Sequence, residues 1–162
     1  MLHVHEPFMK RCIALAEKAL STGNPPVGAL LVHQGQVIGL GVESSRATGD
    51  ITFRAEISAI RHALAGGFED LLTSSCLYTI RRPCIMCSYA IRHYRIPYIV
   101  YGTDSVFDNE PTSALNVLKA NSIPLWKETP KIIKGVCQEA CEALINSYNQ
   151  SLLENDHVKN IS

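Results

Sequence analysis

Two short apolar runs, VGALLV (27–32) and QVIGLGV (36–42), are separated only by His33-Gln34-Gly35. Spacing this tight across a glycine-containing turn predicts an antiparallel hairpin. The remainder of the chain alternates helical periodicity with strand-length apolar runs. Phe8, Cys12, Leu15, Ala16 and Ala19 share one face of a predicted helix over 6–21, which Gly23 and Asn24-Pro25-Pro26 stop. A second helix over 53–65 turns Ala59, Ile60, Ala63 and Leu64 inward and closes at Gly66-Gly67. A strand at 75–80, a helix at 84–94 opened by Pro83, and a strand at 96–101 follow. The pattern then predicts a helix over 112–121 with Leu115 and Leu118 inward, and a short edge strand at 124–127 because Pro124 cannot sit in a central one. A last helix over 131–152 carries Cys137, Cys141, Leu144 and Tyr148 on one stripe. The class is α/β, with one sheet between helical layers. Residues 1–150 form one domain with no linker, and 151–162 a polar tail expected to fray.

With 162 residues, 46% of them hydrophobic and 19% charged, the chain suits one soluble domain with a sizeable core. Formal net charge is zero, which weighs against broad electrostatic binding to nucleic acid or an anionic membrane. A local basic patch remains around Arg81, Arg82, Arg92 and Arg95. The start, MLHVHEPFMKRC, has no apolar leader core, and no run approaches the ~20 apolar residues of a membrane span. A cytoplasmic protein is expected, with its six cysteines as thiols or ligands rather than disulfides.

The chemistry concentrates in Pro83-Cys84-Ile85-Met86-Cys87. Cysteines three apart at a helix start lie on one face, where free N–H groups and the helix dipole favour thiolates. Alone, this pattern is compatible with small core residues, a redox pair or half of a zinc site. The preceding helix begins Arg54-Ala55-Glu56. Zinc-dependent deaminases carry H-x-E followed by P-C-x-x-C: the histidine and two cysteines hold zinc, and the glutamate shuttles a proton from the metal-activated water. Here the match is R-x-E and P-C-x-x-C, with Glu56 at the proton-shuttle position and Cys84 and Cys87 as candidate metal ligands.

Over about residues 5–148 the chain resembles the cytidine deaminase superfamily, on the branch of guanine deaminases and tRNA adenosine deaminases. The resemblance rests on Asn24-Pro25-Pro26-Val27-Gly28-Ala29, Gly39-x-Gly41, Gly49-Asp50-x-Thr52, Ala55-Glu56-Ile57-x-Ala59-Ile60 and Leu77-Tyr78-Thr79, collinear with the cysteine motif. It implies a five-stranded mixed sheet in a three-layer α/β/α sandwich, a zinc cofactor and hydrolytic removal of an exocyclic amine from a purine or pyrimidine. It also implies a homodimer, and a base-facing wall formed by Val27, Gly28, Ala29 and Glu43. The neutral charge favours a small base or nucleoside over structured RNA as partner.

Several positions depart from the family pattern. Arg54 replaces the histidine ligand, Arg82 an acidic residue, and Glu43 a substrate-contacting asparagine eleven residues before the ligand; Phe53 fills a position that is small or polar in relatives. A guanidinium has no lone pair to offer a metal. Among the histidines, His62 lies roughly 12 Å along the helix from the ligand position and His93 roughly 9 Å beyond Cys87, too far for zinc–nitrogen bonds of about 2 Å. His3, His5, His33 and His157 are expected to be ordinary surface or core residues. Two expectations follow. One is an inherited deaminase; the other is a metal-poor, catalytically inactive binding or partner subunit in which Arg54 and Arg82 supply the charge that zinc would have brought.

Overall fold

The computed structural model describes residues 2–105 and 117–159. Helix α1 (Glu6–Ser21) leads into the hairpin β1 (Gly28–His33) and β2 (Gln36–Val42). A single turn, α2 (Ser45–Thr48), precedes α3 (Ala55–Ala65). Then come β3 (Cys76–Arg81), α4 (Ile85–His93), β4 (Tyr98–Thr103), β5 (Lys131–Lys134) and α5 (Gln138–Lys159). The sheet order is β2-β1-β3-β4-β5. Strand β1 runs antiparallel to both neighbours, while β3, β4 and β5 are parallel. This is the five-stranded mixed sheet implied by the resemblance.

The hairpin is built as the sequence predicts. Gln34 (φ 48°) and Gly35 (φ 79°) both take the left-handed conformation, as a two-residue turn requires, and His33 faces Gln36 across it. Small residues let helices touch both faces of the hairpin. A Cβ on Gly28 would lie 2.4 Å from the Cys12 carbonyl oxygen of α1. On the other face, a Cβ on Gly41 would lie 2.0 Å from the Ala55 carbonyl oxygen, and one on Gly39 2.4 Å from that of Ala59. Helix α3 therefore lies backbone-to-backbone on β2, which fixes the height of its N-terminus above the sheet. Helices α1 and α5 pack together, as do α3 and α4. Met9, Cys12, Leu30, Leu77, Ile80, Ile99 and Ile145 fill the core.

The C-terminal third differs from its periodicity. Residues 131–134, expected to be helical, form the edge strand β5, in register with β4 from Tyr98↔Lys131 to Tyr101↔Lys134. Ile132 and Ile133 suit a strand, and Gly135 (φ 85°) and Cys137 (φ 52°) interrupt the backbone, so α5 starts only at Gln138. Cys137 is thus ahead of the helix. The expected strand at 124–127 is a 3₁₀ turn, Pro124–Trp126. Proline's fixed φ suits the start of a turn, and Lys127 (φ 52°) breaks any extension. Of the helix expected over 112–121, residues 112–116 lie outside the described residues; 117–119 form a 3₁₀ turn with Leu118 buried. Helix α5 continues past residue 152 to Lys159. Pro83 lies just ahead of the helix cap, because Cys84 is extended (ψ 174°) and caps α4.

Replacing Gly41 by alanine should test the close α3–β2 approach. The added methyl forces α3 off the sheet, so urea unfolding should show a loss of at least about 1–3 kcal/mol.

Candidate functional site

Two helix N-termini and the middle of a strand meet at one point. Arg54 caps α3 in an extended conformation, which places Glu56 in the first turn. Cys84 caps α4 and places Cys87 in its first turn. The Cys84 carbonyl accepts from the Ser88 amide at 2.8 Å, and the Pro83 carbonyl accepts from the Ser88 hydroxyl at 3.2 Å, so the thiol pair sits on a well-bonded turn. Glu56 is buried. Its Oε1 accepts from the Thr79 hydroxyl at 2.8 Å, and its Oε2 accepts from the Cys87 thiol at 3.4 Å. Thr79 lies opposite Ala29 in the sheet, which brings the predicted base-facing segment beside Glu56. Val27 and Ala29 are buried, and Gly28 turns toward α1.

Glu43 has a role that the pattern alone does not reveal. Fully buried, it accepts the otherwise unpaired Ala55 amide at 3.2 Å through Oε2 and the Ser45 hydroxyl through Oε1. It thus caps α3 from a neighbouring segment. Arg54 Nε lies 3.7 Å from the same Oε2, with the arginine side chain 15% exposed. The Arg54 charge faces Glu43, Glu56, Cys84 and Cys87 together. Arg82 is not brought into this cluster: it is exposed, and its charge acts on Tyr101 and Asp104. Thr79, a landmark of the family pattern, and Ser45 carry no site role in the sequence pattern. A lone hydroxyl inside a buried strand, as at Thr79, is the signal that could have found the first, since buried hydroxyls need partners.

The electrostatics follow from burial and from one cation among several acids. The Cys87 thiol hydrogen-bonds the Cys84 sulfur, and that bond lowers Cys84 to about 6; burial opposes the shift, and the Cys87 amide and the nearby Arg54 charge assist it. The same bond, with burial and the neighbouring Glu56, pushes Cys87 well above the usual thiol range. The Cys87 thiol therefore keeps its proton, which it donates to the Glu56 carboxylate. Burial drives Glu43 upward, against the pull of Arg54. Arg54 is raised too, which favours its charged form: burial disfavours the charge, but four acidic neighbours more than offset this. The two partners differ because Glu43 gains one cation whereas Arg54 gains several acids.

These donors do not fit a zinc ion. A protein zinc centre takes at least three nitrogen, sulfur or oxygen ligands, and among the described residues no group of three His, Cys, Asp or Glu side chains is placed to hold a metal. Four of the described histidines have contacts of their own. His62 Nδ1 accepts from the Leu40 amide at 3.1 Å, His5 pairs with Tyr78, His33 with Ser74, and His93 stacks on Tyr89.

A helix-borne glutamate beside a C-x-x-C cap, above a mixed sheet, defines the architecture of a base deaminase. Residues 2–103 match the family model of the cytidine and deoxycytidylate deaminase zinc-binding region, and the chain belongs to that family. It is 34% identical over 150 residues to tRNA-specific adenosine deaminase 2 of Xenopus tropicalis, spanning 88% of each protein. It is 30% identical over 155 residues to the tRNA-specific adenosine deaminase of Haemophilus influenzae, spanning 95% of this chain and 88% of that one. A solved structure from work on A-to-I editing by tRNA:A34 deaminases superposes with a TM-score of 0.67 at 30% identity, over 79% of this chain and 96% of that one. Guanine deaminase from Nitrosomonas europaea shares the fold, with a TM-score of 0.72 at 21% identity over 88% of this chain and 82% of that one.

Removing the arginine should expose the charge balance. Arg54→Ala leaves Glu43 buried without this cation and is expected to cost toward the lower end of about 3–5 kcal/mol in urea unfolding, given the 3.7 Å separation. Adding Glu43→Gln should recover part of that loss. Strict additivity of the two changes in a double-mutant cycle would remove the pair from the account.

Proposed function

We propose that this chain is a base- or nucleoside-binding member of the deaminase family whose pocket is held together by an arginine in place of a metal, and that it does not carry out zinc-hydroxide hydrolysis. The observation that carries this reading is the position of Arg54. Arg54 stands at the ligand position of the motif in sequence, its guanidinium pairs with the buried Glu43, and its charge acts on Glu56, Cys84 and Cys87. A metal entering there would lack a third donor and meet a fixed cation. In the family the zinc supplies an activated water at neutral pH. Without it, what this chain's residues retain is recognition: Glu56 and Thr79 offer a buried acceptor and a hydroxyl beside the backbone of Val27–Ala29. The zero net charge supports a small base or nucleoside as the ligand. A homodimer in the cytoplasm completes the proposal.

A second reading, an active deaminase, is favoured by one specific observation. Glu56 keeps the buried proton-shuttle position beside Cys87. The two readings separate on metal content and turnover. Elemental analysis of protein purified without added metal should find zinc well below one ion per chain, with no ammonia released from a panel of purines, pyrimidines and nucleosides. Arg54→His should raise zinc toward one per chain, because it restores the third donor. Tightly bound stoichiometric zinc in the natural protein, with ammonia release, would establish the active enzyme instead.

A further inference from the structure

The far end of α4 from the cysteines borders a recess of about 630 Å³, lined by Thr73, Arg92, Arg95, Lys127, Glu128 and Lys131 among others. Four of these are cations and one is a carboxylate. Arg92 is only 2% exposed. Its Nη1 donates to the Val117 carbonyl at 3.3 Å and the Leu118 carbonyl at 2.6 Å, and its Cζ lies 5.0 Å from the centre of the Trp126 ring. Its Nε and Nη2 are buried and have no hydrogen-bond partner among the described residues. These two groups form one edge of the guanidinium, the side-on fork that matches two oxygens of a carboxylate or phosphate. Leaving a charged donor pair buried and unmatched is costly. Burial accordingly disfavours the Arg92 charge.

The rim adds cations to this fork. Arg95 (φ 55°) is the left-handed residue that ends α4, and Lys127 (φ 52°) ends the 124–126 turn, so both are held at the rim by the backbone. Lys131 stands on β5 with its ammonium 5.8 Å from the Tyr98 ring centre. The recess has the volume of a small-ligand site. Its Glu128 and the zero net charge of the chain disfavour a long polyanion.

We propose that this recess is a phosphate site: the Arg92 Nε–Nη2 fork and the rim cations Arg95, Lys127 and Lys131 take a phosphate group, free or carried as the monoester of a small molecule. The fork is shielded from water, so binding requires a local shift of the recess wall. Nothing here depends on zinc or on turnover at the Glu56 site.

Phosphate titration of the intact protein at constant ionic strength, followed through the Arg92 Nε–H resonance, tests the proposal. A saturable shift is expected with inorganic phosphate and is not expected with added chloride. Adenosine monophosphate should move the same resonance and adenosine should not. Arg92→Lys, which keeps the charge and removes the fork, should weaken phosphate at least about tenfold. The rim variant Arg95→Ala/Lys127→Ala/Lys131→Ala alters exposed residues only. It decides the matter if Arg92→Lys does not fold, with a similar loss expected. A resonance that does not move, or phosphate binding unchanged in the rim variant, makes Arg92 a strut for the 117–126 segment and overturns the site. A single-stranded RNA bound there in preference to adenosine monophosphate overturns the small-ligand assignment.

Discussion

Acidic groups buried at paired helix N-termini need a positive charge, and the organisation of this protein turns on which charge that is. Glu43, Glu56, Cys84 and Cys87 converge where α3 and α4 begin. Helix dipoles help to hold anions at such places, but they do not offset several buried acids. In the family a divalent metal does so and also supplies chemistry. In the function proposed for this chain the Arg54 guanidinium does so, with a permanent charge, five donors and no capacity to activate water. The exchange accounts for Glu43 as well. A carboxylate at that position gives Arg54 a counter-charge and gives α3 its missing cap in one contact.

The position of that cluster is set by small residues far less conspicuous than the motif. Gly39 and Gly41 let the backbone of α3 touch β2, and Gly28 does the same for α1 on the opposite face. With α3 seated this low, Glu56 reaches Thr79 in β3, whose strand partner Ala29 belongs to the base-facing segment. Bulk at the glycines would lift Arg54 and Glu56 together, so scaffold and site share one constraint.

Where local and tertiary signals agree, the chain was legible. The hairpin, α1, α3, β3, α4 and β4 follow from periodicity and turn chemistry, within a residue or two at their ends. Residues 131–134 were not legible, because a four-residue edge strand owes its existence to parallel pairing with β4, and KIIK followed by a long helix looks like that helix's first turn. The site shows the same division. Glu56, Cys84, Cys87 and Arg54 stood out through their spacing, and the structure brings them together. Arg82, adjacent to the motif in sequence, points its charge toward Tyr101 and Asp104 instead. Chain proximity does not fix side-chain direction at the end of a strand. The capping role of Glu43 depends on a contact across twelve residues that no local pattern encodes.

Diffraction recorded on either side of the zinc absorption edge tests the central claim most directly. The account predicts Arg54 density against Glu43 and no anomalous peak between Cys84 and Cys87, in crystals grown from protein never exposed to chelator. A strong anomalous peak within bonding distance of both sulfurs, with Arg54 swung away from Glu43, would contradict it.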